Sequence, residues 1–402
     1  MTHHKKNISA DIHFQMKWNS ALAIHTEEYE ANNVNFWRDC LPKEIYNELG
    51  SKSVGQTVQV EFSPGSIVPG YEPKKTFEIK GTQFNRGFIP DKEIQPRMGR
   101  FYPKGLLKNV AGVFPQNLQP FRCVGVENGH LKVDLNHPLA NKPIQIKAIV
   151  KEIRLKSVER GGRCNDWMEI MADGPGMQAR WEGRPTDFLS KNRFQRKDER
   201  PDIIYYQNPR LIQHIDNQAI QVVKNLYGEL IHNEMRVLDL MSSWKSHLPE
   251  TLRLKKLSGL GLNAEELAKN VELSDWIVQD LNENPILPYK TESYDAVVCT
   301  VSIEYLIDPE TVFKEIGRVL RPGGLFVVTF SNRWFPEKVI DIWKDLHEFE
   351  RMGLVMEYFQ KSKMFKYLES FSIRGLPRPR DDKYFYEIMD SDPIYAVWGY
   401  RT

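Results

Sequence analysis

Apolar residues recur along this chain in three textures. Over the first fifty residues they are spaced as on helices, in KWNSALAIHTEEYEANN and again in NVNFWRDCLPKEIYNEL, which predicts a helical N-terminal appendage over residues 1–52. From residue 53 the runs shorten. QTVQVEF, KTFEI, HLKVDL and PIQIKAIVKEIRL alternate apolar and polar positions between Gly and Pro, which predicts an antiparallel β domain over residues 53–155. Residues 156–204 form a polar connector rich in Gly and Arg, whose aromatic content predicts that it wraps on a neighbour. From residue 205 the texture alternates. LIQHIDNQAIQVVKNLYGEL reads as an amphipathic helix, MRVLDL, KKLSGLGL, DWIVQDL, YDAVVCT and GGLFVVTFS as strands, and PETVFKEIGRVL as a helix capped by Asp308. That alternation predicts an α/β domain over residues 205–402, its sheet mostly parallel with helices on both faces.

Composition adds limits. A chain of 402 residues implies about two to three domains. A formal charge of +2 builds no field for nucleic acid or an anionic membrane, so neither partner is expected. Cys40, Cys123, Cys164 and Cys299 lie far apart in sequence, so reduced thiols are expected, with no redox pair and no metal. The first residues lack the apolar segment of a secretion signal, and no run approaches the roughly 18 apolar residues of a membrane span, so a cytoplasmic protein is expected.

In an open parallel sheet a ligand binds beyond the carboxyl ends of the strands, which makes the loops after MRVLDL, KKLSGLGL, DWIVQDL and YDAVVCT the places to look. The block VSIEYLIDPETVFKEIGRVLRPGGLFVVTF, with Asp239 and Asp280 in the strands and loops before it, resembles the class I S-adenosylmethionine-dependent methyltransferases of the type 11 group over residues 205–402. The resemblance implies a Rossmann-like fold, S-adenosylmethionine as cofactor, and a small molecule or a protein as methyl acceptor. It places Asp239, Ser242, Ser243 and Trp244 at the cofactor's amino-acid end, where the family usually has glycines. Gly261 stands where the family carries its ribose-binding acid, and Asn263 or Glu265 is the candidate substitute. Asp280 would accept from the adenine amine, with Leu281 beside the ring and Ser302 beyond the fourth strand. Arg210, His214, Glu304 and Tyr305 are candidates for the acceptor, the first two sharing a face of the predicted helix. Read from the residues alone, Asn263 serves equally as a helix N-cap, and Trp244 as a filling for the cofactor space. A sulfonium leaves as a neutral thioether, so alignment matters more than proton transfer and no catalytic base is nominated.

The segment VDLNHPLANK, residues 133–142, carries a second resemblance, to SlyD-like FKBP-type peptidyl-prolyl isomerases, where a similar segment connects an inserted chaperone flap back to the isomerase barrel. It covers residues 53–155 and implies an α+β module with a proline-containing or unfolded peptide as partner. The other function this leaves open is a peptide-binding chaperone or prolyl isomerase carrying a degenerate methyltransferase domain.

Overall fold

Where a helical appendage is expected, residues 8–35 form mainly strands. In the computed structural model, which describes residues 8–49, 53–90, 93–155, 162–188 and 194–402, β1 (Ile8–Asn19) and β2 (Ala23–Asn35) form an antiparallel hairpin. Only α1 (Lys43–Leu49) is helical. Residues 1–7 and 50–52 of the expected appendage, and 156–161 and 189–193 of the connector, lie outside the described residues. The alternation in β1 is regular, with Ala10, Ile12, Phe14, Met16 and Trp18 buried. β2 conceals it, because its buried face carries His25 and Glu27 while Ile24 is exposed. His25 stacks on Trp18 at 3.9 Å, and Glu27 accepts from Gln178 Nε2 at 2.7 Å. Polar groups satisfied on the core face erase the period on which a strand assignment rests.

The chain divides into two units, Met1–Leu189 with His347–Leu354 and Ser190–Leu346 with Val355–Thr402. In the first unit, β3 (Thr57–Phe62) is followed by a separate antiparallel sheet of β4 (Thr76–Lys80), β5 (Phe101–Pro103), β6 (Pro120–Glu127) and β7 (His130–Asp134), in the order β4-β7-β6-β5. Its core holds Phe84, Tyr102 and Phe121, with ring centroids 5.3 to 6.4 Å apart. β8 (Ile144–Leu155) then returns to the first sheet, ordered β2-β1-β8-β3. The connector packs as expected: α2 (Trp167–Ala172), capped by Asp166, buries Trp167, Met168 and Met171 against that sheet, and Arg122 donates to the Ala179 carbonyl at 2.7 Å. All four cysteines are free, yet sequence spacing concealed one approach. Cys40 and Cys164, 124 positions apart, bring their sulfurs to 3.9 Å.

The second unit contains α3 (Asp202–Tyr205), α4 (Asn217–Leu230), β9 (Arg236–Leu240), β10 (Lys256–Gly261), α5 (Ala264–Lys269), β11 (Asp275–Val278), β12 (Tyr294–Thr300), α6 (Pro309–Val319), β13 (Leu320–Phe330) and α7 (Asp341–Lys344). After these come α8 (Glu348–Ser362), of which residues 355–362 belong to this unit, β14 (Phe365–Arg374) and β15 (Ile394–Arg401). Its strands run β11-β10-β9-β12-β13-β15-β14; the first five are parallel and β15 is antiparallel to both neighbours. Alternate residues of β13 serve opposite faces: Val327 joins the cluster around Val223 and Leu226 of α4, whereas Phe326 meets Phe313 of α6 at 5.0 Å. Helices therefore cover both faces of a sheet whose central strands β12 and β13 are largely buried. The chain runs outward from β9 to β11 and then back to β12, so the strand order reverses between β9 and β12, where a ligand crevice is expected. No helix among the described residues is long and apolar enough to cross a membrane.

Candidate functional site

A cleft of about 800 Å³, counted out to open solvent, lies at that reversal. Met241, Ser242 and Ser243 line it after β9, Gly261 and Asn263 after β10, Gln279, Asp280, Leu281 and Asn282 after β11, and Val301, Ser302 and Tyr305 after β12. Asp202, Tyr206, Arg210, His214, Glu266 and Phe335 add to the wall. Met241 (φ 57°) and Val301 (φ 48°) hold left-handed backbone at the ends of β9 and β12. For a β-branched residue that conformation is strained, and the Val301 N–H bond to the Thr329 carbonyl at 2.8 Å helps to hold it.

On the first-loop side the polar groups satisfy one another. Ser242 Oγ donates to Asp239 at 2.5 Å, and Ser243 Oγ donates to Glu266 at 2.6 Å. Asp239 is buried behind the wall, and burial pushes its carboxyl up to about 7 against the lowering pull of its serine hydrogen bonds. It shapes the loop and does not line the cleft. The missing acid of the second loop has a steric cause. A β-carbon on Gly261 would lie 2.1 Å from the Ser242 carbonyl oxygen, so the first loop occupies the space that any side chain there would need. Asn263 is the helix cap: its Oδ1 accepts from the N–H groups of Glu265 and Glu266, and its Nδ2 donates to the carbonyls of Tyr206 and Gln207.

The third-loop side is open in a different sense. Asp280 Oδ1 accepts from the Asn282 N–H at 2.8 Å, while Oδ2 is buried without a hydrogen-bond partner. Burial raises the Asp280 pKa above the usual carboxylate value. An unpaired buried carboxylate oxygen is costly unless something supplies a donor. Asn282, which the sequence reading passed over, ties three segments together: Nδ2 donates to Asp202 and to the Tyr305 carbonyl, and Oδ1 accepts from the Ile307 N–H. Behind it Asp202 is buried with Arg196 Nη1 at 2.7 Å and Lys338 Nζ at 3.0 Å.

The cleft thus gathers Ser242, Ser243, Asn263, Asp280, Leu281, Ser302, Arg210, His214 and Tyr305 from the expected set. Trp244 is not among the lining residues and does not fill the space: its Nε1 donates to the Ile212 carbonyl at 3.3 Å. Glu304 is fully buried at its short turn and is not in the wall either, which removes it as an acceptor ligand. Arg210 and His214 share no helical face, because α4 begins only at Asn217, where Asp216 caps it by accepting from the Ala219 N–H at 2.9 Å. They reach the cleft from an irregular segment. Arg210 packs over Tyr205, Tyr206 and Phe335 at 4.5, 5.3 and 4.6 Å from the ring centroids, and His214 meets Phe335 edge-on. Tyr206, Phe335, Asp202 and Glu266 carried no motif signal, since tertiary folding alone brings them to the cleft.

Residues 256–328 match the methyltransferase domain family Methyltransf_11. The chain is 27% identical over 120 residues to a malonyl-[acyl-carrier protein] O-methyltransferase of Porphyromonas gingivalis, covering 25% of this chain and 46% of that one. It is 31% identical over 98 residues to a ubiquinone/menaquinone biosynthesis C-methyltransferase of Bartonella tribocorum, covering 24% and 36%. The chain therefore spans less than half the length of these relatives. A solved S-adenosylmethionine-dependent methyltransferase from Mesorhizobium loti superposes with a TM-score of 0.31 at 15% identity, covering 44% of this chain and 96% of that one. The matched residues run from β10 into β13 and include the third- and fourth-loop walls of the cleft.

Proposed function

We propose that the second unit is an S-adenosylmethionine-dependent methyltransferase whose cofactor lies in the cleft described above. The observation that carries this is the unpartnered buried oxygen of Asp280, on a wall built by the segment that matches methyltransferases. An exocyclic adenine amine supplies the donor that oxygen lacks. Leu281 offers an apolar surface to the ring, and Tyr305 and Phe335 keep water from the opposite side. The cofactor brings an activated methyl group. The chain's share is to orient it and to exclude water, since the neutral leaving group asks for no acid. The acceptor is a small molecule or a protein side chain. Titration calorimetry of the full chain with S-adenosylmethionine and S-adenosylhomocysteine tests the reading: saturable binding of both is expected, and absence of heat at high protein concentration refutes it.

The first unit supports a companion reading, that it is an FKBP-type module of the SlyD kind holding proline-containing or unfolded peptide. What favours it is the separate sheet β4-β7-β6-β5 inserted between β3 and β8, with residues 133–142 leading back into the main sheet. A proline-limited refolding assay with the full chain checks it; no acceleration at equimolar client counts against isomerase activity.

A further inference from the structure

We propose that Arg210 anchors the carboxylate of the cofactor's methionine part, which rests on the cofactor reading above. The argument is one of charge and spent donors. Ser242 and Ser243 face the cleft, yet each has given its hydroxyl proton to a neighbouring carboxylate, Asp239 and Glu266. No lysine lines the cleft among the described residues, and Arg210 is its one arginine. The acids that line it are Asp202, Glu266 and Asp280. Asp202 is already balanced from behind by Arg196 and Lys338. With Asp280 given to the adenine amine, a ligand whose amino-acid end carries a carboxylate and an ammonium meets the reverse pair here, the Arg210 guanidinium and the Glu266 carboxylate.

Arg210 is also underused. Its Nη2 reaches the Tyr205 carbonyl only at 3.4 Å, and its Nη1 is buried with no hydrogen-bond partner. The three rings around it supply attraction but no acceptor, and they lower the local dielectric, which strengthens a pairing with an anion. Its backbone is fixed to the first-loop side, since the Arg210 N–H donates to Glu266 Oε1 at 2.7 Å, the same carboxylate that Ser243 holds. The guanidinium therefore does, from outside the β9 loop, what glycine backbone does in other members of the resembled family.

The test compares S-adenosylmethionine with decarboxylated S-adenosylmethionine, which keeps both cations and loses only the carboxylate. By calorimetry the wild-type chain should prefer the carboxylate-bearing ligand by about 10- to 100-fold, the size of a hydrogen bond to a charged group. Arg210→Met should lose that preference, with affinity for the decarboxylated ligand within about threefold of wild type, and Arg210→Lys should recover part of it. An undiminished preference in Arg210→Met overturns the assignment and leaves the cofactor reading standing; binding of neither ligand by the wild type overturns both.

A separate observation points to a covalent modification site in the first unit. Cys40 and Cys164 are both exposed, and their sulfurs are held 3.9 Å apart by backbone and side-chain hydrogen bonds of the two segments that carry them, among them one from the Cys164 thiol to the Arg38 carbonyl at 3.1 Å. The Cys40 N–H donates to the Asn165 carbonyl at 2.8 Å, and Asp39 accepts from the Asn165 N–H and from Trp167 Nε1. The geometry points to a reversible disulfide between them, formed by exchange with glutathione disulfide. One thiolate attacks glutathione disulfide and releases glutathione, the second displaces the remaining glutathione, and the two thiol protons leave with the two glutathione molecules. Cys123 and Cys299 are buried and do not compete. Treatment with glutathione disulfide should lower the intact mass by about 2 Da, map the bond to Cys40 and Cys164, and fail in Cys40→Ser. Stable glutathione adducts without the internal bond overturn the proposal.

Discussion

The two sides of the cleft solve the same problem in opposite ways. On the third-loop side a carboxylate is left with an unpaired oxygen beneath a wall that matches the methyltransferase domain family. On the first-loop side the serines and acids are closed upon one another. The lesson is that the first loop and position 261 are sterically coupled: the loop at Ser242 sits so close to β10 that only glycine fits there.

The most disruptive way to break that comparison is Gly261→Asp, which puts back the family's usual acid. With a β-carbon 2.1 Å from the Ser242 carbonyl, either the loop or the strand must move, at a cost of about 3 kcal/mol or more. Urea unfolding of the full chain should show a lowered midpoint. A variant with the wild-type midpoint and stronger cofactor binding would mean that the two sides are uncoupled.

Asp239 provides the next test, through pH. Its folded pKa of about 7 stands above the ordinary carboxylate value of 3.8, mainly because it is buried. Between about pH 4 and 7 the folded state keeps a proton that the unfolded chain has released. Stability from this group is therefore full at about pH 4, falls as pH rises through that window, and levels off above about 7, a change of roughly 2 to 4 kcal/mol. Asp239→Asn should flatten that slope in thermal melts of the second unit's transition. An unchanged slope would place the titrating group elsewhere. His13 works in the same direction in the first unit, in a higher window: burial lowers its pKa, but Glu28 and Glu30 outweigh this and lift it to about 9, so its contribution is present below about 6.5 and lost through about 9.

Much of this layout was legible because the second unit is locally consistent. The order of strands, the Asp308 cap and the loop at Asp280 all follow from period and from side chains acting within a few residues of themselves. The hairpin at the N-terminus was not legible, since His25 and Glu27 occupy its core face through partners far along the chain. Arg210 and His214 were found for the wrong reason: a four-residue spacing suggested a helix face, whereas Asp216 starts α4 after them. The meeting of Cys40 and Cys164 lay beyond any spacing rule, being set by hydrogen bonds between segments 124 residues apart.

Asp280→Asn sharpens the comparison from the other side. It keeps the shape but turns one acceptor into a donor, and loss of a charged hydrogen bond at this wall should weaken cofactor binding by about 10- to 50-fold. The loss should be the same for 5′-methylthioadenosine, which lacks the amino-acid end, because the adenine amine is common to both ligands. Unequal losses would mean that Asp280 serves a different part of the ligand.

The smallest effect belongs to the most conspicuous side chain. Trp244 sits in the loop that replaces the glycines, and its size makes a cofactor wall or a plug the natural reading of the sequence. In the structure its indole turns away from the cleft, donates to the Ile212 carbonyl at 3.3 Å, and lies 5.8 Å from the Lys245 ammonium. Trp244→Phe removes one partly exposed hydrogen bond, worth about 1 kcal/mol of stability or less. It should therefore leave cofactor affinity within about twofold while lowering the melting temperature by a few degrees at most. A large gain in affinity would mean that the indole plugs the cleft in solution, and a large loss that it forms the wall. Either result would transfer the amino-acid end of the ligand from Arg210 back to the loop after β9.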